Sequence, residues 1–138
     1  MFTTKWASAV LGKEPAVSGL EEPSTDVSAV KAAEDAERRG AAAHVLDGSE
    51  LVSKRAALDG IAAVLDFPEW AGRNLDALYD CLTDLSWLPE GEHVLIWSGY
   101  QALADYDPKA YRKISAVLKE ASETSFCGRT FTAVLTRN

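Results

Sequence analysis

The chain has 138 residues, enough for one domain with a tail, and 47% of them are hydrophobic, which is enough for a core. Its net charge of −7 argues against direct binding of nucleic acid, because phosphate binding needs a basic face, and it favours a positively charged protein partner. No stretch approaches the ~18 apolar residues that a membrane-spanning helix needs, and the N-terminal residues are too interrupted for a secretory signal.

The chain has two cysteines, Cys81 and Cys127. They form no CxxC pair, and no histidine stands near them at metal-ligand spacing. We therefore predict two reduced, partly buried thiols, no metal site and no cofactor. Because no export signal is recognisable, we expect the protein in the cytoplasm.

The first 40 residues are predicted to hold a tail and one helix. Residues 1–23 contain four glycines and prolines without a sustained period, which is typical of a flexible tail. Residues 24–40 are rich in alanine, so we expect a helix that Ser24 or Thr25 caps and Gly40 ends.

Residues 41–138 are predicted to alternate strands with helices. Apolar runs indicate three strands, at Ala41–Leu46, His93–Trp97 and Phe131–Leu135. Caps and helical periods indicate helices that begin after Ser53, after Asn74 and at Pro108. Strands separated by helices favour parallel pairing. The sequence therefore predicts an α/β fold, a small three-stranded parallel sheet packed with helices.

Sequence signatures of catalysis are missing from the chain. It contains no GxGxxG, Walker, GxSxG or HExxH motif. His44 and His93 lie in predicted strands, where core or strand-edge positions explain them. Cys81 has no basic neighbour on its helix face that would lower its pKa. We predict no catalytic residues, and hence a protein that is not an enzyme.

The most informative segment is residues 67–83, FPEWAGRNLDALYDCLT. On the predicted helix one face is apolar and should be buried: Leu75, Leu78 and Leu82. A second face is polar and surrounds an aromatic that we expect to be exposed: Asp76, Tyr79, Asp80 and Thr83. Two carboxylates spaced i and i+4 repel each other, and a face that tolerates this repulsion favours an external basic partner. Trp70 and Gly72, in the loop before the helix, extend this candidate interface.

This segment resembles the barstar family, whose hallmark is an apolar-Pro-Glu-aromatic-x-Gly-x-Asn-Leu-Asp-Ala-Leu-aromatic-Asp-Cys-Leu-Thr run. The segment matches that run from Phe67 to Thr83. Weaker similarity extends over residues 41–138, which would form a barstar-like domain. The tail and the extra N-terminal helix, residues 1–40, fall outside the resemblance.

The resemblance implies inhibition of a small basic, guanyl-preferring microbial ribonuclease of the extracellular type, whose active site the acidic helix face would plug. Asp80 would be the central carboxylate and Asp76 would hold a neighbouring base. Trp70 and Gly72 would pack and hydrogen-bond around the cleft. The same surface would be lined by Asn74, Tyr79 and Thr83, with Glu120 on the last helix as an outlying acid. The free protein is expected to be a monomer.

Four positions differ from the best-known member of the family and keep alternatives open: Trp70 stands where that member has tyrosine, Tyr79 where it has tryptophan, and Ala71 and Arg73 also differ. Ala71 lacks an aromatic, and Arg73 places a base in the acidic face, where it should repel part of a basic target. An immunity or regulatory module with a different toxin or partner is therefore a second reading. A third is a small-molecule-binding enzyme, although residues 46–49 make a poor phosphate loop.

Overall fold

The computed structural model describes residues 28–126 and 128–137. The predicted tail, the first residues of the predicted N-terminal helix and Cys127 lie outside them. The described residues form five helices and four strands: α1 (Ala29–Arg38), β1 (Ala42–Asp47), α2 (Lys54–Val64), α3 (Leu75–Asp84), β2 (Gly91–Ser98), α4 (Gln101–Tyr106), α5 (Pro108–Ser122), β3 (Ser125–Phe126) and β4 (Arg129–Thr136). Within them, no helix is both long and apolar enough to cross a membrane.

The strands form one sheet in the order β1-β2-β4-β3. β1, β2 and β4 are parallel, which confirms the predicted three-stranded parallel sheet. β3 pairs with β4 in the antiparallel direction and was not predicted. With two residues it is too short to show a strand period, and the turn that joins it to β4 contains Gly128 at a φ of 79°.

Local capping chemistry explains where the helices begin. Ser53 Oγ accepts the amide of Ala56 at 3.1 Å at the start of α2, and Pro108 opens α5, both as predicted. The prediction for α1 was wrong at its start. Ser28, and not Ser24 or Thr25, caps α1, because Ser28 also has a capping hydroxyl and stands directly before the alanine-rich stretch.

Each face of the sheet carries part of the core. On one face, Trp97, Phe131 and other apolar strand residues are buried with residues of α2, α3 and α5. On the opposite face, α1 packs on β1 and β2 and buries Ile96. β2 is thus covered on both faces, as its continuous apolar run predicts.

The two histidines are neighbours on adjacent strands. His44 Nε2 lies 3.1 Å from Nδ1 of His93, and Nε2 of His93 lies 2.7 Å from the carbonyl oxygen of Pro89. His93 is buried, so the structure confirms that these residues occupy core and strand positions. Burial, and then the neighbouring His93, lower the pKa of His44 below its ordinary value.

Candidate functional site

The candidate surface consists of α3 and the loop, residues 67–74, that leads into it. α3 packs on α5, with Leu78 and Leu82 buried and Leu75 partly buried, which confirms the predicted apolar stripe. At the start of the loop, Phe67 packs edge-to-face on Trp87 with ring centroids 5.7 Å apart. The buried stripe therefore fixes which face of α3 is left for a partner.

Asn74 and Gly72 shape the junction between the loop and the helix. Asn74 Oδ1 accepts the amide of Ala77 at 2.8 Å, the predicted N-cap of α3. A side chain at position 72 would place its Cβ 3.0 Å from Nδ2 of Asn74. Glycine therefore lets the loop pass close to the capping side chain.

The polar face of α3 carries three carboxylates one turn apart, at Asp76, Asp80 and Asp84. Asp76 and Asp80 are exposed, and in residues 28–126 and 128–137 no base lies within ion-pair distance of either. Asp84 is half-buried and accepts a hydrogen bond from Ser86 Oγ at 3.1 Å. Sequence reasoning missed Asp84, although its i+4 spacing from Asp80 could have found it.

The two aromatic candidates differ in exposure. Trp70 is 79% exposed, as expected for a residue that meets a partner. The expectation that Tyr79 is exposed was wrong: Tyr79 is half-buried and packs against the core. Position 79 follows Leu75 by four residues and precedes Leu82 by three, so it lies at the edge of the buried stripe.

A pocket of about 330 Å³ separates the loop from α3. It brings together three of the predicted site residues, Trp70, Gly72 and Asp80, and adds Asp84 to them. Its remaining lining residues are Ala71, Ala77 and Cys81. An exposed indole beside two carboxylates suits a cationic side chain, which both groups attract.

The other predicted site residues do not line this pocket: Asn74, Asp76, Tyr79, Thr83 and Glu120. Thr83 is on α3, where its hydroxyl donates to the backbone oxygen of Tyr79 at 3.0 Å or of Asp80 at 3.2 Å. Only the lone pairs of Thr83 Oγ1 are therefore left for a partner. Glu120 is exposed on the last turn of α5, the helix on which α3 packs.

Cys81 lines the pocket, and its thiol is buried and free. Burial, followed by the charges of Asp80 and Asp84, raises the pKa of its thiol, and the opposing effect of Arg73 is smaller. The thiol is therefore protonated at neutral pH and is not an activated nucleophile.

The positive charge of Arg73, which the sequence places in the acidic face, has partners within the chain. Its Nε donates to Oδ1 of Asp59 on α2 at 2.9 Å, and its Nη1 donates to the carbonyl oxygen of Ala71 at 3.0 Å. Asp59 is fourteen residues away in sequence, so a pattern local to the loop does not show it. The charge of Arg73 is thus paired inside the chain.

A second concavity, of about 410 Å³, lies at the carboxyl ends of the parallel strands, where a nucleotide-binding enzyme would bind its ligand. The amides of its loop are already used within the chain. Gly48 donates to the carbonyl oxygen of Ser98 at 2.7 Å, and the amide and hydroxyl of Ser49 both donate to Asp47. These bonds lower the pKa of Asp47, whose carboxylate would repel a phosphate. The amides of Gly48 and Ser49 are therefore not free to cradle a phosphate.

Comparison with known proteins shows which family this chain belongs to. The family profile described as "Barstar (barnase inhibitor)" matches residues 41–136, from β1 to the end of β4. A curated protein of Bacillus subtilis (strain 168), described as "Putative ribonuclease inhibitor YrdF", is 44% identical over 45 residues. Those residues are 33% of this chain and 50% of the relative, so the chain spans about half the length of the curated relative. Since the family profile covers well over half of the chain, this protein belongs to the barstar family.

Proposed function

We propose that this protein is an inhibitor, and not an enzyme, that binds a small basic microbial ribonuclease of the guanyl-preferring, extracellular type. Its acidic α3 face and the preceding loop enter the active site of the nuclease. The observation that carries this proposal is a pair of exposed carboxylates, Asp76 and Asp80, which have no basic partner among the described residues and lie on the helix beside the exposed Trp70. The description of the Bacillus subtilis relative as a ribonuclease inhibitor supports the same role.

Electrostatics provides the mechanism of this inhibition. A ribonuclease holds cationic side chains in its cleft to bind the phosphates of RNA, and carboxylates on a rigid helix replace those phosphates with charge-assisted hydrogen bonds. In this proposal Asp80, which lines the pocket, meets the central cations of the cleft, and Asp76, one turn earlier, meets a neighbouring base. The negative net charge of the chain accelerates the encounter.

Aromatic and polar groups around the carboxylates complete the surface. Trp70 packs on the rim of the nuclease cleft, and the backbone at Gly72 comes close enough to hydrogen-bond there. Asn74, Tyr79 and Thr83 border the same face, and Glu120 adds an acid from α5. The protein acts in the cytoplasm, as a monomer when free, and the buried free Cys81 is compatible with a reducing compartment.

A second candidate is an immunity or regulatory protein of the same fold that binds another toxin. It is favoured by α1, which lies outside the residues matched by the family profile and covers one face of the sheet. It is also favoured by Ala71, which lacks the aromatic of the best-known member of the family. The same acidic surface would then meet a different basic partner.

Titration of RNA cleavage separates these candidates. Barnase and a panel of other basic microbial ribonucleases are assayed with increasing amounts of the protein, with Asp105→Ala as a control variant, because Asp105 is exposed and outside the pocket. We expect at least one nuclease to lose its activity at one equivalent of wild-type or control protein. No inhibition anywhere in the panel would reject the ribonuclease and favour another toxin.

A further inference from the structure

Arg73 is the one residue of the loop whose charge has the wrong sign for a basic partner. Its guanidinium joins two parts of the chain, Asp59 of α2 at 2.9 Å and the carbonyl oxygen of Ala71 at 3.0 Å. We infer that Arg73 is a positioning residue of the partner-binding surface: it ties the loop before α3 to α2 and so strengthens binding despite its charge. This inference rests on the proposed function.

The guanidinium can fix the loop because its planar fork donates in two directions at once. Ala71 is buried, and its amide donates to the carbonyl oxygen of Pro68 at 3.0 Å. The N–H and the C=O of Ala71 thus both have hydrogen-bond partners within the chain. Trp70 and Gly72, which flank Ala71, are presented to the partner from this fixed point.

Asp59 can hold Arg73 although the stability of the fold does not depend on this ion pair. Its Oδ1 also accepts a hydrogen bond from Nε of Arg55 at 3.2 Å, so the loss of Arg73 leaves the carboxylate with a base. Half of the Asp59 side chain is exposed, and exposed ion pairs contribute little to the stability of a fold. We therefore expect Arg73 to order the loop locally and to contribute little to the stability of the whole fold.

The charge of Arg73 and its contacts with the loop predict opposite effects of its removal on binding. If Arg73 acted only as a cation, its removal would accelerate association with a basic partner and tighten the complex. If Arg73 holds the loop, its removal lets the loop leave the binding conformation, and the complex dissociates faster. Lysine separates the two effects, because it keeps the charge but lacks the planar fork.

Binding kinetics with barnase, or with whichever panel nuclease the wild-type protein inhibits, test the inference. We expect Arg73→Lys and Arg73→Gln each to raise the dissociation rate about three- to tenfold, with the association rate unchanged for lysine. Asp59→Ala should act similarly and add nothing in the Arg73→Gln background. A wild-type dissociation rate for Arg73→Lys, or tighter binding by Arg73→Gln, would overturn the inference.

Amide hydrogen exchange of the free protein gives a readout that needs no partner. In both Arg73 variants the amide of Ala71 should exchange faster, while that of Ile114, in the core helix α5, should not change. Unchanged exchange at Ala71 would show that Arg73 does not hold the loop. If the wild-type protein binds no nuclease, the proposed function fails, and this exchange result alone decides whether Arg73 orders the loop.

Discussion

Asp80→Ala is the substitution that most sharply separates binding from folding. Asp80 is exposed, one helical turn from Asp76 and one from Asp84, so its removal relieves two like-charge pairs worth roughly 0.2–0.5 kcal/mol each. Alanine also has the higher helix propensity, by up to about 0.7 kcal/mol. The free energy of unfolding should therefore rise slightly or stay constant.

Binding should respond in the opposite direction. In the proposed complex the cations that meet Asp80 are buried, and its removal leaves them without a counter-charge. The loss of one partner from such a pair costs about 2–5 kcal/mol, which is roughly 30-fold to several thousand-fold in Kd. Most of this loss should appear as faster dissociation.

Asp105→Ala is the matched control for this comparison. It removes the same charge from an exposed position on α4, and should cost less than about 1 kcal/mol, mostly through slower association. Asp107 is unsuitable, because its side chain accepts the amide of Ala110 and caps α5. Calorimetry of both variants against an inhibited ribonuclease gives the two losses. Equal losses would mean that diffuse charge drives binding, and the assignment of Asp80 would be refuted.

Asn74→Ala should lower the free energy of unfolding by about 1 kcal/mol in chemical denaturation, because the cap of α3 is lost. Stability should also fall as the pH falls through about 6.5. Because the pKa of His44 is lowered in the folded chain, His44 is protonated at a higher pH in the unfolded chain than in the folded one. His44→Gln should therefore weaken the pH dependence of stability, measured by melting at several pH values. Thiol titration of the denatured protein without reductant should find two free groups, Cys81 and Cys127, whereas native Cys81 should react slowly; no free group would contradict a reducing compartment. A chain that begins at Pro23 should fold and inhibit like the full chain; if it folds but no longer inhibits, the first 22 residues belong to the interface.

Local signals in the sequence were sufficient for most of the fold. Continuous apolar runs located the three parallel strands, and the capping side chains of Ser53 and Asn74 located the starts of α2 and α3. These features depend on residues within one or two turns, so they can be predicted without knowledge of the tertiary structure. α4 was missed because a six-residue helix with no side-chain cap has neither signal.

The missed parts of the candidate site depend on contacts between elements. The pairing of Arg73 with Asp59 joins a loop to another helix, and the burial of Tyr79 follows from how α3 rests on the core. The i+4 spacing of Asp84 from Asp80 is visible in the sequence, but the pocket that both residues line exists only once the loop is folded beside α3. Sequence periodicity predicts which residues share a face, but not which of them a neighbouring element covers.

Competition with a guanine mononucleotide tests whether this protein occupies the active site of the nuclease. A ribonuclease that this protein inhibits is mixed with increasing amounts of a guanine mononucleotide, which occupies its active site. The affinity of the nuclease for this protein is then measured at each nucleotide concentration. If α3 and its loop fill the active site, the apparent affinity should fall in proportion to the fraction of nuclease that holds nucleotide. An affinity that is independent of the nucleotide would place the contact elsewhere on the nuclease and contradict the proposed mode of inhibition.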